Sequence, residues 1–196
     1  MNRPHGVVVA SKNPDKIAEM AAVLGAVDPP IVVIPGHLWD EVDETEDTLE
    51  GNALLKARAV VAATGHASVA DDTGLEVDAL GGAPSVHTAR YAGEAATYDD
   101  NVTKLLGALE GVEARTARFR TAVALVTPAG EELVVQGVLE GTIADARRGD
   151  GGFGYDPVFD VDGRTLAEIS PEEKNEISHR ALALIALVDA LREGER

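Results

Sequence analysis

The sequence predicts an α/β fold built on a mixed sheet. Short β-branched runs alternate with amphipathic helical segments in the first half of the chain. A hairpin signal then breaks the alternation, with residues 117–127 and 132–143 flanking Pro128-Ala129-Gly130. Alternation implies parallel pairing through helical crossovers, and a hairpin adds antiparallel strands, so the sheet is expected to be mixed.

Residues 7–10 read as a buried strand. Asn13 then offers an N-cap and Pro14 suits the first helical position. Ile17, Met20, Ala21 and Leu24 form the apolar stripe of that helix, and Gly25 is expected to close it. Residues 31–34 form a second strand, and 38–47 an acidic loop. Asp47-x-x-Glu50 resembles a capping box before an Ala-rich helix that ends at Thr64-Gly65. A third strand, 67–70, runs into Asp71-Asp72-Thr73-Gly74, which reads as a polar turn at the strand end. Residues 80–93 are expected to be irregular. Thr97 caps a helix carrying Val102, Leu105, Leu106 and Leu109. After the hairpin, 149–154 is a glycine-rich loop. Ser170-Pro171-Glu172-Glu173 then combines an N-cap, an N1 proline and a capping-box glutamate. One final helix is expected from there through Leu191.

The chain has 196 residues, enough to bury roughly 70% of its unfolded surface without disulfides or a structural metal. It is expected to be a single domain, 1–196, with at most two lobes. Seventeen basic against 34 acidic residues leave a net charge of −17. That excludes a nucleic-acid polymer as partner and an anionic membrane surface, both of which need a basic stripe. It does not exclude a small phosphorylated ligand neutralised by a few cations or a bridging metal. There are no cysteines, so thiolate chemistry is excluded. The start, MNRPHG, has no signal-peptide apolar region, and the run at 181–188 is too short to span a bilayer, so a cytoplasmic location is expected.

Six segments can carry chemistry. Ser11-Lys12-Asn13-Pro14-Asp15-Lys16 places cations and a hydroxyl at a helix N-terminus, where backbone N–H groups favour anions. The same residues also make a plain capped helix. Asp71-Asp72-Thr73-Gly74 follows a strand, where α/β sheets bind ligands, and Asp suits Mg²⁺. Adjacent carboxylates on an extended chain point different ways, so one of them is expected to face the ligand. The acidic loop Asp40, Glu41, Asp43, Glu44, Glu46, Asp47 could add a second metal carboxylate, though most of it reads as solvated. Asn52 and Lys56 lie four apart on one helix face. Gly151 to Pro157 holds two of the chain's seven aromatics, Phe153 and Tyr155, in a loop suited to stacking on a base. Lys174, Ser178, His179 and Arg180 lie on the closing helix.

In this order, the segments resemble the inosine triphosphate pyrophosphatase family over essentially the whole chain. The matching pieces are Ser11, Asn13 and Lys16; Asn52 to Ala57; Ala70 to Leu75; Gly81 to Gly93; Gly152 to Phe159; and Glu173 to Arg180. The resemblance implies an elongated two-lobed mixed sheet flanked by helices, with the active-site cleft between the lobes, and a homodimer. It implies Mg²⁺-dependent hydrolysis of noncanonical purine nucleoside triphosphates (ITP, dITP, XTP) to monophosphate and pyrophosphate. On these positions, Asp72 is a metal ligand and general base and Glu44 the other metal carboxylate. Ser11, Lys12, Asn13, Lys16, Lys56 and Thr73 hold the triphosphate. Phe153, Gly154, Tyr155, Asp156, Lys174, His179 and Arg180 hold base and sugar.

Two positions depart from the family pattern: Lys12 stands where many relatives have Gly, and Gly51 where many have Glu. Glu50 does not replace the latter, being turned ~100° away on a helix. A Maf-type pyrimidine nucleotide pyrophosphatase would need an arginine-rich first turn, which Pro14-Asp15-Lys16 is not. A non-catalytic nucleotide sensor could dispense with Glu44 and Asp72, and both are present.

Overall fold

The computed structural model describes residues 1–36, 39–40 and 42–194. Eight strands and five α-helices lie within those residues: β1 Gly6–Val9, α1 Pro14–Ala26, β2 Val32–Val33, α2 Leu49–Thr64, β3 Ser68–Val77, β4 Pro84–Ser85, α3 Tyr98–Ala108, β5 Thr116–Val126, β6 Glu132–Ile143, β7 Phe159–Val161, β8 Arg164–Thr165, α4 Pro171–Ile177 and α5 His179–Gly194. The sheet is mixed, as expected. Its order is β2-β1-β3-β5-β6-β7-β8, with β4 paired to β3. β1 is parallel to β2 and β3, while β4, β7 and β8 add antiparallel pairs. No helix among the described residues is long and apolar enough to cross a membrane.

The chain forms two compact units. The first comprises Met1–Asp72, Thr121–Gly137 and the segment from His179 onward; the second comprises Thr73–Arg120 and Val138–Ser178. Each has its own core. In the first, Val7, Val9 and Val69 of the sheet pack with Met20 and Leu24 of α1 and Leu184, Leu187 and Leu191 of α5. In the second, Leu75, Phe119 and Phe159 pack with Leu105 and Leu109 of α3 and with Tyr155 and Leu166. Aliphatic side chains supply most of both cores, as the scarcity of aromatics requires.

Several local expectations are corrected. α1 runs through Gly25 to Ala26, because a glycine at an ordinary helical position does not by itself end a helix. α2 is capped by Thr48, not Asp47; its N3 residue is Gly51, so no capping box forms. Its C-terminus is as expected, with Gly65 left-handed at φ 68°. Asp71-Asp72-Thr73-Gly74 is not a turn but the middle of β3. Tertiary partners for both carboxylates outweigh the local turn preference there. The small β7–β8 hairpin is not among the expected elements, although its turn, Asp162-Gly163, both left-handed, is the two-residue pair that signals a tight hairpin; its strands are only three and two residues long.

The closing helix is two helices. Ser178 is extended at ψ 151° and separates α4 from α5. The break lets α5 start directly on β6: a Cβ at Gly137 would lie 2.2 Å from the His179 carbonyl oxygen and 2.3 Å from Ala183 N. Lys174 and Ser178 therefore do not share one helix face.

Candidate active site

In the first unit, α1 begins directly after β1. Asn13 caps it, its Oδ1 accepting from Asp15 N at 2.9 Å and Lys16 N at 3.5 Å, while Asn13 N donates to Ser11 Oγ at 3.1 Å. The cap thus engages the same backbone N–H groups that the anion-binding reading relied on. What the turn presents to a ligand is chiefly its lysines. Lys12 and Lys16 line a cavity of about 190 Å³ with Ser11, Trp39, Glu44 and Lys56. Trp39 is the only tryptophan of the chain, and it lies outside the residues that the sequence motifs single out. An aromatic in a loop of an aromatic-poor chain was the available signal.

β3 delivers two carboxylates to different partners. Asp71 is almost wholly buried. Its Oδ2 accepts from Lys16 Nζ at 3.1 Å and from Arg180 Nε and Nη2, both at 3.1 Å. Arg180 also pairs with Glu19 of α1. Burial would raise the Asp71 pKa, but Lys16, Arg180 and Lys56 outweigh it and hold the carboxyl well below the usual carboxylate range. Lys16 is pushed down from 10.5, because burial exceeds the opposing pull of Asp71. Of the two adjacent carboxylates, Asp71 lines the cavity and Asp72 does not, although a lysine of the cavity pairs with each.

Asp72 is held from two sides. Lys56 Nζ lies 3.5 Å from Oδ1, and Asn52 Nδ2 donates to Oδ2 at 3.1 Å. The same Lys56 Nζ sits 2.6 Å from Glu44 Oε1. Burial, helped by Glu44, raises the Asp72 pKa above 3.8 against the lowering effect of Lys56. Lys56 itself is raised, Asp72, Asp71 and Glu44 together outweighing its burial. Within the acidic loop, Asp40, Asp43, Glu46 and Asp47 are exposed, Glu44 alone lines the cavity, and Glu41 lies outside the described residues.

Among the described residues, no group of three or more His, Cys, Asp or Glu side chains is placed around a metal position. Glu44 and Asp72 nevertheless share one ammonium, so a cation already occupies the electrostatic role between them. Two carboxylates suffice for Mg²⁺, which keeps several waters. His179, at the start of α5, is buried with Nδ1 2.5 Å from Thr121 Oγ1.

The second unit organises the glycine-rich loop around Asp156. Its Oδ2 accepts from Phe153 N at 2.8 Å and from Lys174 Nζ at 2.5 Å. Gly152 is left-handed, and a Cβ there would lie 2.1 Å from that oxygen. Lys174 Nζ stands 4.6 Å from the centroid of the Phe153 ring, and Tyr98 packs against the same ring at 6.0 Å. Phe153 is half-buried, Gly154 is left-handed and half-buried, and Thr73 is half-buried on β3. Tyr155, expected at the ligand, is instead a core residue whose hydroxyl donates to the Thr88 carbonyl at 3.0 Å. Asn52, singled out with Lys56 but given no role, holds Asp72, and Glu19, which no sequence argument placed in the site, holds Arg180.

The chain matches the Ham1 family over residues 7–190. It is 49% identical to the dITP/XTP pyrophosphatase of Porphyromonas gingivalis, over 94% of this chain and 96% of that one. It is 47% identical to the dITP/XTP pyrophosphatase of Geobacillus kaustophilus, over 95% and 94%. The solved structure of a HAM1 protein from Coxiella burnetii superposes with a TM-score of 0.84 at 42% identity, covering 96% of this chain and 98% of that one.

Proposed function

The chain belongs to the Ham1 family, and from that membership we infer the chemistry that its residues perform. It is a nucleoside triphosphate pyrophosphatase acting on noncanonical purine nucleoside triphosphates. The observation that carries the site assignment is the convergence of Glu44 and Asp72 on Lys56 beside the Lys12–Lys16 turn.

Glu44 and Asp72 would hold Mg²⁺. Bound there, the cation would neutralise phosphate charge and stabilise the departing pyrophosphate. Lys16 and Lys56, with Lys12, Ser11, Asn13 and Thr73, would hold the triphosphate. Asp72 would take the proton of the attacking water. Its raised pKa suits a base better than that of Asp71, which the cations keep weakly basic. Water oxygen bonds to the α-phosphorus, the α–β anhydride bond breaks, and pyrophosphate leaves with its charge met by lysines. By the resemblance, Phe153, Gly154, Asp156 and Lys174 of the second unit would hold base and sugar, as would His179 and Arg180 of the first, Arg180 through N–H groups beyond those already given to Asp71 and Glu19. Residues 1–196 acting as one catalytic domain, a homodimeric assembly and a cytoplasmic location belong to the same proposal.

A nucleotide panel with Mg²⁺ tests this reading. Phosphorus NMR should show monophosphate and pyrophosphate from dITP, ITP and XTP, with ATP far slower. Orthophosphate accumulating without added pyrophosphatase, or ATP turned over as fast as ITP, would overturn it.

A further inference from the structure

We propose that Asn52 is the positioning residue of this site, and that Gly51 is glycine to let it work. The inference rests on the assignment of Glu44 and Asp72 above. Asn52 is buried in α2, four residues after the Thr48 cap. Its amide faces two ways. Nδ2 donates to Asp72 Oδ2 at 3.1 Å, and Oδ1 accepts from the backbone N–H of Glu46 at 3.0 Å. One side chain therefore ties the carboxylate of β3 to the backbone of the segment that carries Glu44. Glu44 and Glu46 are two residues apart, so the anchor at Glu46 fixes where Glu44 can reach. A buried amide bonded at both ends has one low-energy placement, because either bond lost leaves a buried polar group unpaired.

Gly51 supplies the room. A Cβ there would lie 2.8 Å from Glu46 Cβ, 3.0 Å from Glu46 Cγ and 3.0 Å from Thr48 Oγ1. The Glu46 stem thus lies against the bare Gly51 Cα, with the Glu46 N–H within reach of Asn52. In this chain the space left by the bare Gly51 is the space that the Glu46 stem fills. Asn52 touches neither water nor nucleotide in this scheme. It acts through the separation of Glu44 and Asp72.

The test uses Asn52→Ala, Gly51→Ala and the double variant Gly51→Ala with Glu46→Gly. Steady-state kinetics with dITP should show kcat reduced about 10- to 100-fold for Asn52→Ala, with KM changed less than about threefold. Gly51→Ala should lose activity in the same manner, and the double variant should recover most of it. Amide hydrogen exchange gives the readout independent of activity: the Glu46 amide should exchange at least about tenfold faster in Asn52→Ala, with α5 unchanged. A folded Asn52→Ala protein with near-normal kcat, or unchanged Glu46 exchange, overturns the inference. So does a double variant no better than Gly51→Ala. Should Asn52→Ala fail to fold, the Gly51 pair decides alone. Wild-type protein that releases no pyrophosphate from dITP or XTP would instead defeat the functional assignment.

Discussion

Asp71 Oδ2 accepts from Lys16 and Arg180, whereas Asp72 divides its two oxygens between Lys56 and Asn52. The two neighbours should respond oppositely to removal of charge. Asp72 has a raised pKa, so its ionised form costs stability once pH exceeds the folded value. Asp72→Asn should therefore lose about 10²–10⁴-fold in kcat while melting no lower than wild type at pH 7; activity and Tm measured on one preparation check both. Arg180 is the converse. Its removal leaves Asp71 buried with one partner fewer, and breaking a buried pair costs about 3–5 kcal/mol. Arg180→Ala should melt on the order of 10 °C lower. A Tm within 2–3 °C of wild type, roughly 1 kcal/mol or less, would show that Arg180 is not holding Asp71. Lys16 adds a pH dependence. Its pKa lies below 10.5, and the phosphate-binding form is the charged one, so kcat/KM should fall as pH rises through that lowered value. Lys16→Arg, which stays protonated, should remove that alkaline limb.

Element ends carry the next level of control. α1 starts where Asn13 occupies its first N–H groups, and α2 starts where Thr48 takes Gly51 N at 3.1 Å. The α1 cap stands three residues before Lys16, and Lys56 follows the α2 cap by two turns; both lysines line the cavity. The break at Ser178 matters more, because it lets the first turn of α5 lie on the backbone of Gly137. Neither atom group there is a flexible side-chain end; both are backbone. Gly137→Ala should therefore displace α5 and, with it, His179. Overpacking of this kind costs about 1–3 kcal/mol or more. The expected result is a lowered Tm and a lowered kcat/KM for ITP, although no residue of the site is changed. Normal kinetics and melting in Gly137→Ala would show that this contact does not position α5.

At the scale of the whole molecule, the chain carries 34 acidic residues yet commits few of them to its chemistry. Those few shape its response to acid. Asp71 binds fewer protons folded than unfolded near its ordinary value of 3.8. Its stabilisation is present above that value and is lost as pH falls toward the lower folded one. Denaturant melts between pH 3 and pH 7 should show wild-type stability falling steeply below about pH 4, and Asp71→Asn, weaker throughout, falling less. Equal slopes for the two proteins would remove Asp71 from the acid response. By itself the sequence determined the α/β class, the hairpin at 117–143, the caps at Asn13 and Ser170, and the family, because these rest on local spacing and on short contiguous motifs. It also marked Asp72, Lys16 and Lys56 as chemistry-bearing residues. Only the tertiary structure decided that Asp71-Asp72-Thr73-Gly74 continues a strand, since the partners that stabilise those carboxylates come from α1, α2 and α5. It alone separated α4 from α5, because the surface on which the first turn of α5 lies is the bare backbone of Gly137, some forty residues earlier. It alone put Tyr155 in a core and Asn52 between two acidic segments. Partners distant in sequence leave no periodicity or spacing to read; they exist only once the chain has folded.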